Sequence, residues 1–214
     1  MKKGILLSIL CLGVSCSAPC PTTSNLLPMY GKQPKCAEQL AADQEFLDLS
    51  DKQYATRRIA SAHYAQVGWG LFYDKQLDAA MKRFNQAWLL DSTNAEPYWG
   101  FANILGMKQQ FRSSISLFRK YLTMNPTQAK AWAGLGTSYG QLFFQTKKAA
   151  FLESSIIATK QCVKLDPTYG EGYAQLAAGY AYYMQKDSAK KYLAIADKLN
   201  PVLVHPEARQ MIRN

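Results

Sequence analysis

A pattern of apolar and small residues returns every 34 residues along most of this chain. The first copy is formed by Tyr64, Val67, Gly68, Leu71, Ala80, Phe84 and Ala87. The second copy is formed by Tyr98, Phe101, Ala102, Leu105, Ser114, Phe118 and Tyr121. A fixed period of this length predicts a solenoid of stacked units, because neighbouring units must share one continuous core.

The pattern continues into a third and a fourth copy. The third contains Trp132, Leu135, Gly136, Tyr139, Ser155, Thr159 and Cys162, with seven extra residues between its two halves. The fourth contains Tyr173, Leu176, Ala177, Tyr180, Ala189, Leu193 and Ala196. The spacing within each half places these residues on one face of a helix, so each unit is predicted to be a pair of helices. Pro126, Pro167 and Pro201 end three units, and Ser92 takes that place in the first.

Four copies in register resemble the tetratricopeptide repeat (TPR) family. The resemblance covers residues 61–203, with repeats at 61–94, 95–128, 129–169 and 170–203. It implies an all-α, right-handed superhelical solenoid of helix-turn-helix repeats. It also implies a concave face, lined by the first helix of each repeat, that binds a protein or a peptide.

The first residues resemble an export signal. Lys2 and Lys3 precede an apolar stretch of about ten residues, which is too short for a membrane span of about twenty. We predict residues 1–18 as a leader that is cleaved before Cys16. The residues before Cys16 resemble a bacterial lipoprotein box, with Gly13 where Leu is preferred, so lipidation of Cys16 is the favoured interpretation. Cleavage after Ala18 and plain secretion is the alternative.

Segments on either side of the repeats have compositions of their own. Residues 19–35 are rich in proline and polar residues, which predicts a flexible, extended tether. Residues 36–60 contain helix formers and are predicted to form an N-terminal capping helix, with Ser50 and Gln53 matching a capping box where a further helix would start. Residues 204–214 are predicted to form a short closing helix.

Three cysteines remain in the chain after Cys11 and Cys16. Cys20 and Cys36 could form a disulfide that holds the N-terminal segment, because an exporting compartment permits disulfides. Cys162 occupies a small-residue core position, which indicates a buried apolar side chain rather than a reactive thiol.

The chain is basic, with 25 Lys and Arg residues against 15 Asp and Glu and a net charge of +10. That charge could favour anionic partners. The basic residues are scattered over all repeats, however, which is more typical of solvated helix faces, and no basic run or nucleic-acid-binding motif is present. We therefore predict no nucleic-acid partner.

No constellation in the sequence is typical of catalysis or of metal binding. His63 and His205 lie at opposite ends of the array, and neither has the spacing of a metal motif. There is no phosphate-binding glycine loop and no nucleophile elbow. We therefore predict no enzyme activity, no cofactor and no metal.

The resemblance places the concave face at the second, fifth, ninth, twelfth and thirteenth positions of each repeat. The residues predicted to line this groove are Trp69, Phe72, Tyr73, Trp99, Asn103, Lys130 and Tyr182. Trp69 and Trp99 are the leading anchors, because tryptophan brings a large apolar area at small entropic cost. Packing between adjacent helices, without a ligand, is the alternative interpretation of both.

The seven extra residues of the third repeat lie around Gln141 to Ala150. They would lengthen a helix or project a loop. Phe143 and Phe144 in this stretch could form a contact point, or could pack against the neighbouring repeat.

Together these features predict a protein- or peptide-binding scaffold or assembly factor at the bacterial cell envelope. It would reach the membrane through a lipid on Cys16, as a periplasm-facing outer-membrane lipoprotein; a secreted or soluble periplasmic form is the alternative. A glycan- or lipid-binding module and an accessory subunit of an envelope enzyme are the alternative functions.

Overall fold

A computed structural model describes residue 20 and residues 24–213, and this part of the chain is helical. Two short 3₁₀ segments, Ser24–Leu26 and Pro28–Lys32, precede the α-helices. The α-helices are α1 (Ala37–Gln53), α2 (Arg57–Tyr73), α3 (Leu77–Leu90), α4 (Glu96–Met107), α5 (Phe111–Met124), α6 (Ala129–Thr146), α7 (Ala149–Leu165), α8 (Gly170–Tyr182), α9 (Lys186–Leu199) and α10 (Pro206–Arg213).

Helices α2 to α9 form four hairpins, each made of one repeat's first and second helix. The first helices α2, α4, α6 and α8 contact one another along the stack. The core that joins the first three hairpins is built from the repeat positions, with Phe84, Phe101 and Ala102 fully buried. A second core lies between α7, α8 and α9, around Leu176 and Ala189. Stacking thus buries apolar faces that no single hairpin could cover.

The turn inside each of the four hairpins uses a left-handed residue that is not glycine. The φ values are 63° at Lys75, 59° at Gln109, 57° at Lys147 and 60° at Met184. Around Lys75, the amide of Gln76 donates to the carbonyl of Leu71, and the Lys75 amide donates to Phe72. This is the Schellman motif, which satisfies the last carbonyls of the first helix. Because these turns lack the usual glycine, the sequence gives no clear sign of them.

Two glycines on first helices allow close contact with the preceding repeat. A Cβ atom added at Gly100 would overlap the ring of Phe84, and one added at Gly134 would overlap the ring of Phe118. Both rings are buried, so neither can move away cheaply. Gly68, which the sequence pattern marks for helix contact, also lies against Phe84.

The extra residues of the third repeat lengthen both of its helices. Helix α6 has 18 residues and α7 has 17, whereas α4 has 12 and α5 has 14. Phe143 and Phe144 lie in the last turns of α6 rather than on a loop. The ring of Phe144 packs edge-on against Tyr182 of the next repeat at 4.9 Å. The third hairpin therefore extends beyond its neighbours and contacts the fourth.

The prediction of a flexible tether over residues 19–35 is wrong for residues 24–32. This segment, which we call the strap, packs on α3. Asn85 on α3 is fully buried; its amide group donates to the carbonyls of Asn25 (3.0 Å) and Leu27 (2.9 Å). Its side-chain oxygen accepts from the amide of Tyr30. These bonds satisfy both the buried side chain and the strap backbone, which offsets the cost of ordering the segment.

The strap is further held by its aromatic and charged residues. Tyr30 is 8% exposed and packs on Trp88. The ammonium group of Lys35, just after the strap, lies over the ring of Tyr30, 3.3 Å from its centroid. Lys35 also pairs with Asp43 on α1. Burial raises the pKa of Tyr30. The apolar residues of the strap, which a solvated tether would not need, were the overlooked signal in the sequence.

The helix boundary between α1 and α2 also differs from the sequence prediction. Ser50 does not start a helix; it is buried inside α1, where its hydroxyl donates to the carbonyl of Phe46. The N-cap of the next helix is Thr56, whose hydroxyl accepts from the amide of Ile59 at 3.2 Å. A serine bonded back to its own helix no longer caps anything, so the capping box had no structural role.

At the other end, α10 packs against α8 and α9 with Ala208 and Ile212 buried. Arg209 forms a two-pronged ion pair with Asp197 on α9, which lowers the pKa of that carboxyl. Within the described residues, no helix combines the length and the apolar character that crossing a membrane requires.

Candidate functional site

An open cavity of about 630 Å³ lies between the first helices α4 and α6. Because it is bounded by first helices, we call it the inner groove. Phe118 of α5 and Gly134 of α6 lie at its base, where the glycine allows the ring to approach the helix backbone. The remaining lining residues are Ala102, Asn103, Gly106, Met107, Gln109, Phe111, Thr137, Ser138, Gln141, Phe144 and Gln145.

The inner groove has a neutral, mixed lining. None of its lining residues carries a charge. Met107 and Phe144 are exposed apolar side chains, 46% and 40% accessible, near the amides of Asn103 and Gln141. An amide group both donates and accepts hydrogen bonds, so it can pair with the backbone of an extended chain. This chemistry suits a peptide segment with apolar side chains. The groove contains no histidine, cysteine or carboxylate that could act in proton transfer.

Only one of the seven predicted groove residues, Asn103, lines this cavity. Its amide nitrogen donates to the carbonyl of Trp99 at 2.9 Å, which orients its oxygen. The predicted anchors Trp69 and Trp99 instead pack edge to face against each other at 5.0 Å. The indole of Trp69 also donates to Glu96 at 2.8 Å and packs on Phe84. In the structure these tryptophans join α2 to α4, as in the alternative interpretation.

The other predicted groove residues are spread along the stack. Phe72 packs against Trp69, and Tyr73, which is 71% exposed, stacks on Trp69 at 6.0 Å. Lys130 is exposed at the start of α6. The pKa of Asp166 is lowered by hydrogen bonds from the hydroxyl and the amide of Thr168, and the charge of Lys130 adds to this shift. Tyr182 packs on Phe144 and donates to Glu207 of α10. Burial, with the nearby Glu207 carboxylate, raises its pKa.

Sequence reasoning missed the base of the groove and its wall on the longer third hairpin. Phe118 and Gly134 appeared only as repeat positions, although their pairing creates the depth of the cavity. Phe144 was assigned to an insertion whose path could not be read from the pattern. Met107 and Gln141 do fall at the thirteenth position of their repeats, which is a predicted concave position. The repeat register was therefore a sufficient signal for both, but the tryptophans were preferred.

The structure joins Cys20 and Cys36 as a disulfide, with their Cα atoms 5.8 Å apart. Glu38 lies beside them, and these three residues form the one cluster of potential metal ligands in the described part of the chain. Because the two sulfur atoms are bonded to each other, neither is a thiolate that could bind a metal. The predicted lipidation site, Cys16, lies outside the described residues.

Cys162 is the free cysteine of the described chain and is fully buried. It lies among Ala129, Ala133 and their neighbours at the base of α6 and α7. Burial raises the pKa of its thiol to about 11, and the nearby Asp166 carboxylate adds to this shift. The thiol therefore stays protonated at neutral pH, as expected for a structural cysteine.

The hairpins, their stacking and the inner groove define a helical-repeat solenoid of the kind that presents an extended binding face. No family model matches the chain. Among curated proteins, it is 30% identical over 112 residues to the tetratricopeptide repeat-containing protein trd-1 of Caenorhabditis elegans. That match covers 52% of this chain and 14% of the worm protein.

Solved structures show the same fold. TTC0263, a thermophilic TPR protein of Thermus thermophilus, matches with a TM-score of 0.59 and 19% identity, over 71% of this chain and 79% of that one. YrrB, a TPR protein with an unusual peptide-binding site, matches with a TM-score of 0.58 and 21% identity, over 70% and 72%. The chain therefore has the tetratricopeptide repeat fold, and the all-α solenoid predicted from the 34-residue period is confirmed.

Proposed function

We propose that this protein binds a segment of a partner protein in the inner groove and acts as a scaffold or assembly factor at the bacterial cell envelope. The observation that carries the proposal is the open, uncharged cavity between α4 and α6, which combines exposed apolar side chains with side-chain amides. Preformed grooves of this kind bind peptides at low entropic cost, because the surface need not be ordered on binding. The peptide-binding site of YrrB, on the same fold, supports this choice.

The neutral lining indicates the kind of segment that would bind. A strongly charged peptide would lose its hydration without gaining a counter-charge in the groove. A segment with apolar side chains and an extended backbone would instead bury Met107 and Phe144 and pair with Asn103 and Gln141. Binding of this kind requires no catalytic residue.

The binding proposal can be tested with photo-crosslinking from position 107 in the full-length protein, followed by mass spectrometry. Gln141→Arg should abolish the crosslinks, because Gln141 is exposed and its replacement puts bulk and charge into the groove. Ala194→Arg adds the same charge on an exposed face of α9 and should leave the crosslinks intact. Crosslinks that persist in Gln141→Arg would refute binding in the inner groove. Parallel assays with peptidoglycan and lipid vesicles test the glycan- and lipid-binding alternatives.

The envelope location is supported by the leader and the residues around Cys16, and it is tested separately. Metabolic labelling with a fatty-acid probe should mark the wild-type protein and leave Cys16→Ser unmarked. A wild-type protein that takes no label and fractionates with soluble periplasmic or secreted proteins would refute the lipid anchor.

A further inference from the structure

The fold contains the same outer groove three times. Each lies between the second helices of two adjacent repeats, with the intervening first helix as its floor. The first outer groove lies between α3 and α5 over α4, the second between α5 and α7 over α6, and the third between α7 and α9 over α8. Because the repeats are in register, the three grooves can be compared position by position.

The first outer groove is partly filled by the strap. Leu27, Pro28 and Met29 form one wall of the space that remains, opposite Leu117 of α5. Met29 is packed against the repeat core, and Tyr30 lies on Trp88. This groove therefore shows what such a site accepts, which is a short segment of tight turns with apolar side chains, whose backbone is bonded by a polar residue of the second helix.

The third outer groove is filled by a side chain of its own repeat. Tyr192 of α9 occupies the position that Leu117 holds in the first groove. Its ring stacks on Tyr180 of the floor helix, with centroids 5.5 Å apart and planes 9° apart. It also approaches Tyr173 at 6.4 Å. No added segment is needed to cover this floor.

The second outer groove has neither cover. Ala158 stands at the position of Leu117 and Tyr192, so the groove keeps an open volume of about 540 Å³. Ile157 beside it is 68% exposed, whereas the equivalent residues are Ser116 and Lys191 in the other two grooves. Ile157 therefore adds to the apolar surface that the second outer groove presents with Leu122, Leu135 and Ala158.

Two arginines without acidic partners line the second outer groove. Arg119 lies over the ring of Tyr139, and Arg112 lies over the ring of Phe151, at 5.6 and 5.5 Å from the ring centroids. Both line a further space of about 280 Å³ that shares Arg119 and Tyr139 with the main groove. Neither is among the ion pairs of the described chain. Arg119 occupies the position of Asn85, whose amide binds the strap backbone in the first groove.

We propose that the second outer groove binds a short segment of a partner protein that carries apolar side chains next to a carboxylate. The apolar side chains would cover Ile157 and the floor of α6, as Met29 of the strap packs against the repeat core beside the first groove. The carboxylate would pair with Arg119 or Arg112, since a guanidinium group binds a carboxylate through two parallel hydrogen bonds. The strap of a second copy fits poorly, because residues 24–32 contain a lysine but no acidic residue.

Selection from a displayed library of linear peptides on the full-length protein tests this proposal. We expect selected peptides to combine apolar residues with Asp or Glu. Ala158→Tyr, which copies the third groove, should weaken their binding by at least about tenfold, the loss that one buried apolar contact commonly causes. Ile157→Ser introduces the residue that the first groove has at this position, Ser116, and should also weaken binding. It tests the groove even if Ala158→Tyr folds poorly. Arg119→Glu should weaken binding similarly, and a peptide with its acidic residue changed to Lys should restore it.

Gln141→Arg in the inner groove is the matched control and should leave these affinities unchanged. The proposals for the two grooves are therefore tested independently. The proposal is overturned if no peptide is selected, or if Ala158→Tyr and Ile157→Ser bind selected peptides as tightly as the wild type. Sedimentation that shows a wild-type dimer, lost in Ala158→Tyr, would identify a second copy as the occupant and would overturn the assignment to a partner.

Discussion

The first and second outer grooves have equivalent floors, but they differ in what lies on them. In the first, the buried Asn85 binds the backbone of the strap, and Met29 and Tyr30 add apolar contacts. In the second, Arg119 replaces Asn85 and the exposed Ile157 meets solvent. The difference teaches that a TPR hairpin stack does not by itself cover its outer face. The two grooves differ at positions of the second helices, with Asn85 and Leu117 at the first and Arg119 and Ala158 at the second.

The largest expected effect comes from opening the loop that holds the strap. Removing the disulfide with Cys20→Ser and Cys36→Ser should lower the free energy of unfolding by about 3 kcal/mol, because a loop of 16 residues gains entropy in the unfolded chain. Urea unfolding of the wild type and the double variant measures this. Hydrogen exchange at the Tyr30 amide should also become faster, while exchange in α6 should not. Equal urea midpoints would show that the disulfide contributes little to stability.

Replacing the strap's anchor should separate the two grooves directly. Asn85→Ala leaves the carbonyls of Asn25 and Leu27 without their partner, so we expect a loss of about 2 kcal/mol. Arg119→Ala, at the equivalent position, should change stability by no more than about 0.5 kcal/mol, because Arg119 is exposed. Thermal unfolding of both variants checks the contrast. Similar losses in the two would contradict the difference drawn between the grooves.

The floor helices α4 and α6 should lose similar stability when a glycine in each is replaced by alanine. Gly100→Ala and Gly134→Ala each force a Cβ atom into a buried phenylalanine ring, and we expect each to cost about 1–2 kcal/mol. Gly70 is the matched control, since a Cβ added there meets nothing within 4 Å. Gly70→Ala should therefore stabilise α2 by about 0.5–1 kcal/mol. A neutral or stabilising Gly134→Ala would mean that α6 packs more loosely against Phe118 than α4 packs against Phe84.

The effect expected to be smallest at neutral pH concerns Cys162, in the core between α6 and α7. Cys162 has a pKa raised to about 11 in the folded chain, so burial disfavours its thiolate. The associated stability is complete below the ordinary thiol pKa of about 8.5 and is lost as the pH rises through 11. The free energy of unfolding should fall more steeply with pH in the wild type than in Cys162→Ala, over a range of about pH 8 to pH 11. Iodoacetamide should not modify Cys162 until the protein unfolds; rapid native labelling would show that the groove opens into the core.

Much of the fold could be predicted because repeat helices are stabilised by contacts close in sequence. The residues at the repeat positions, such as Phe84, Ala102 and Leu176, are buried as the period requires. The candidate site was less predictable. Trp69 and Trp99 fall at concave positions but face each other, and only their three-dimensional spacing shows that they fill the contact between α2 and α4. Period and register identify a face of a helix, not what lies against it.

The strap shows why the remainder could not be predicted. Its bonds to Asn85 join residues 55 to 60 positions apart, and they involve backbone groups that no side-chain pattern describes. Asn85 itself could have served as a signal, because Arg119, Lys160 and Ala194 hold the same position in later repeats. A short polar side chain where the other repeats have an exposed residue indicates a special contact, although it does not name the partner.

The sequence alone determined the stack of helical hairpins, since a 34-residue period of apolar and small residues can bury its faces only by stacking in register. The tertiary structure decided which surfaces of that stack remain open. The depth of the inner groove depends on Phe118 meeting Gly134, and the state of each outer groove depends on Asn85, Ala158 or Tyr192. These are contacts between distant segments, and their geometry exists only once the repeats have packed.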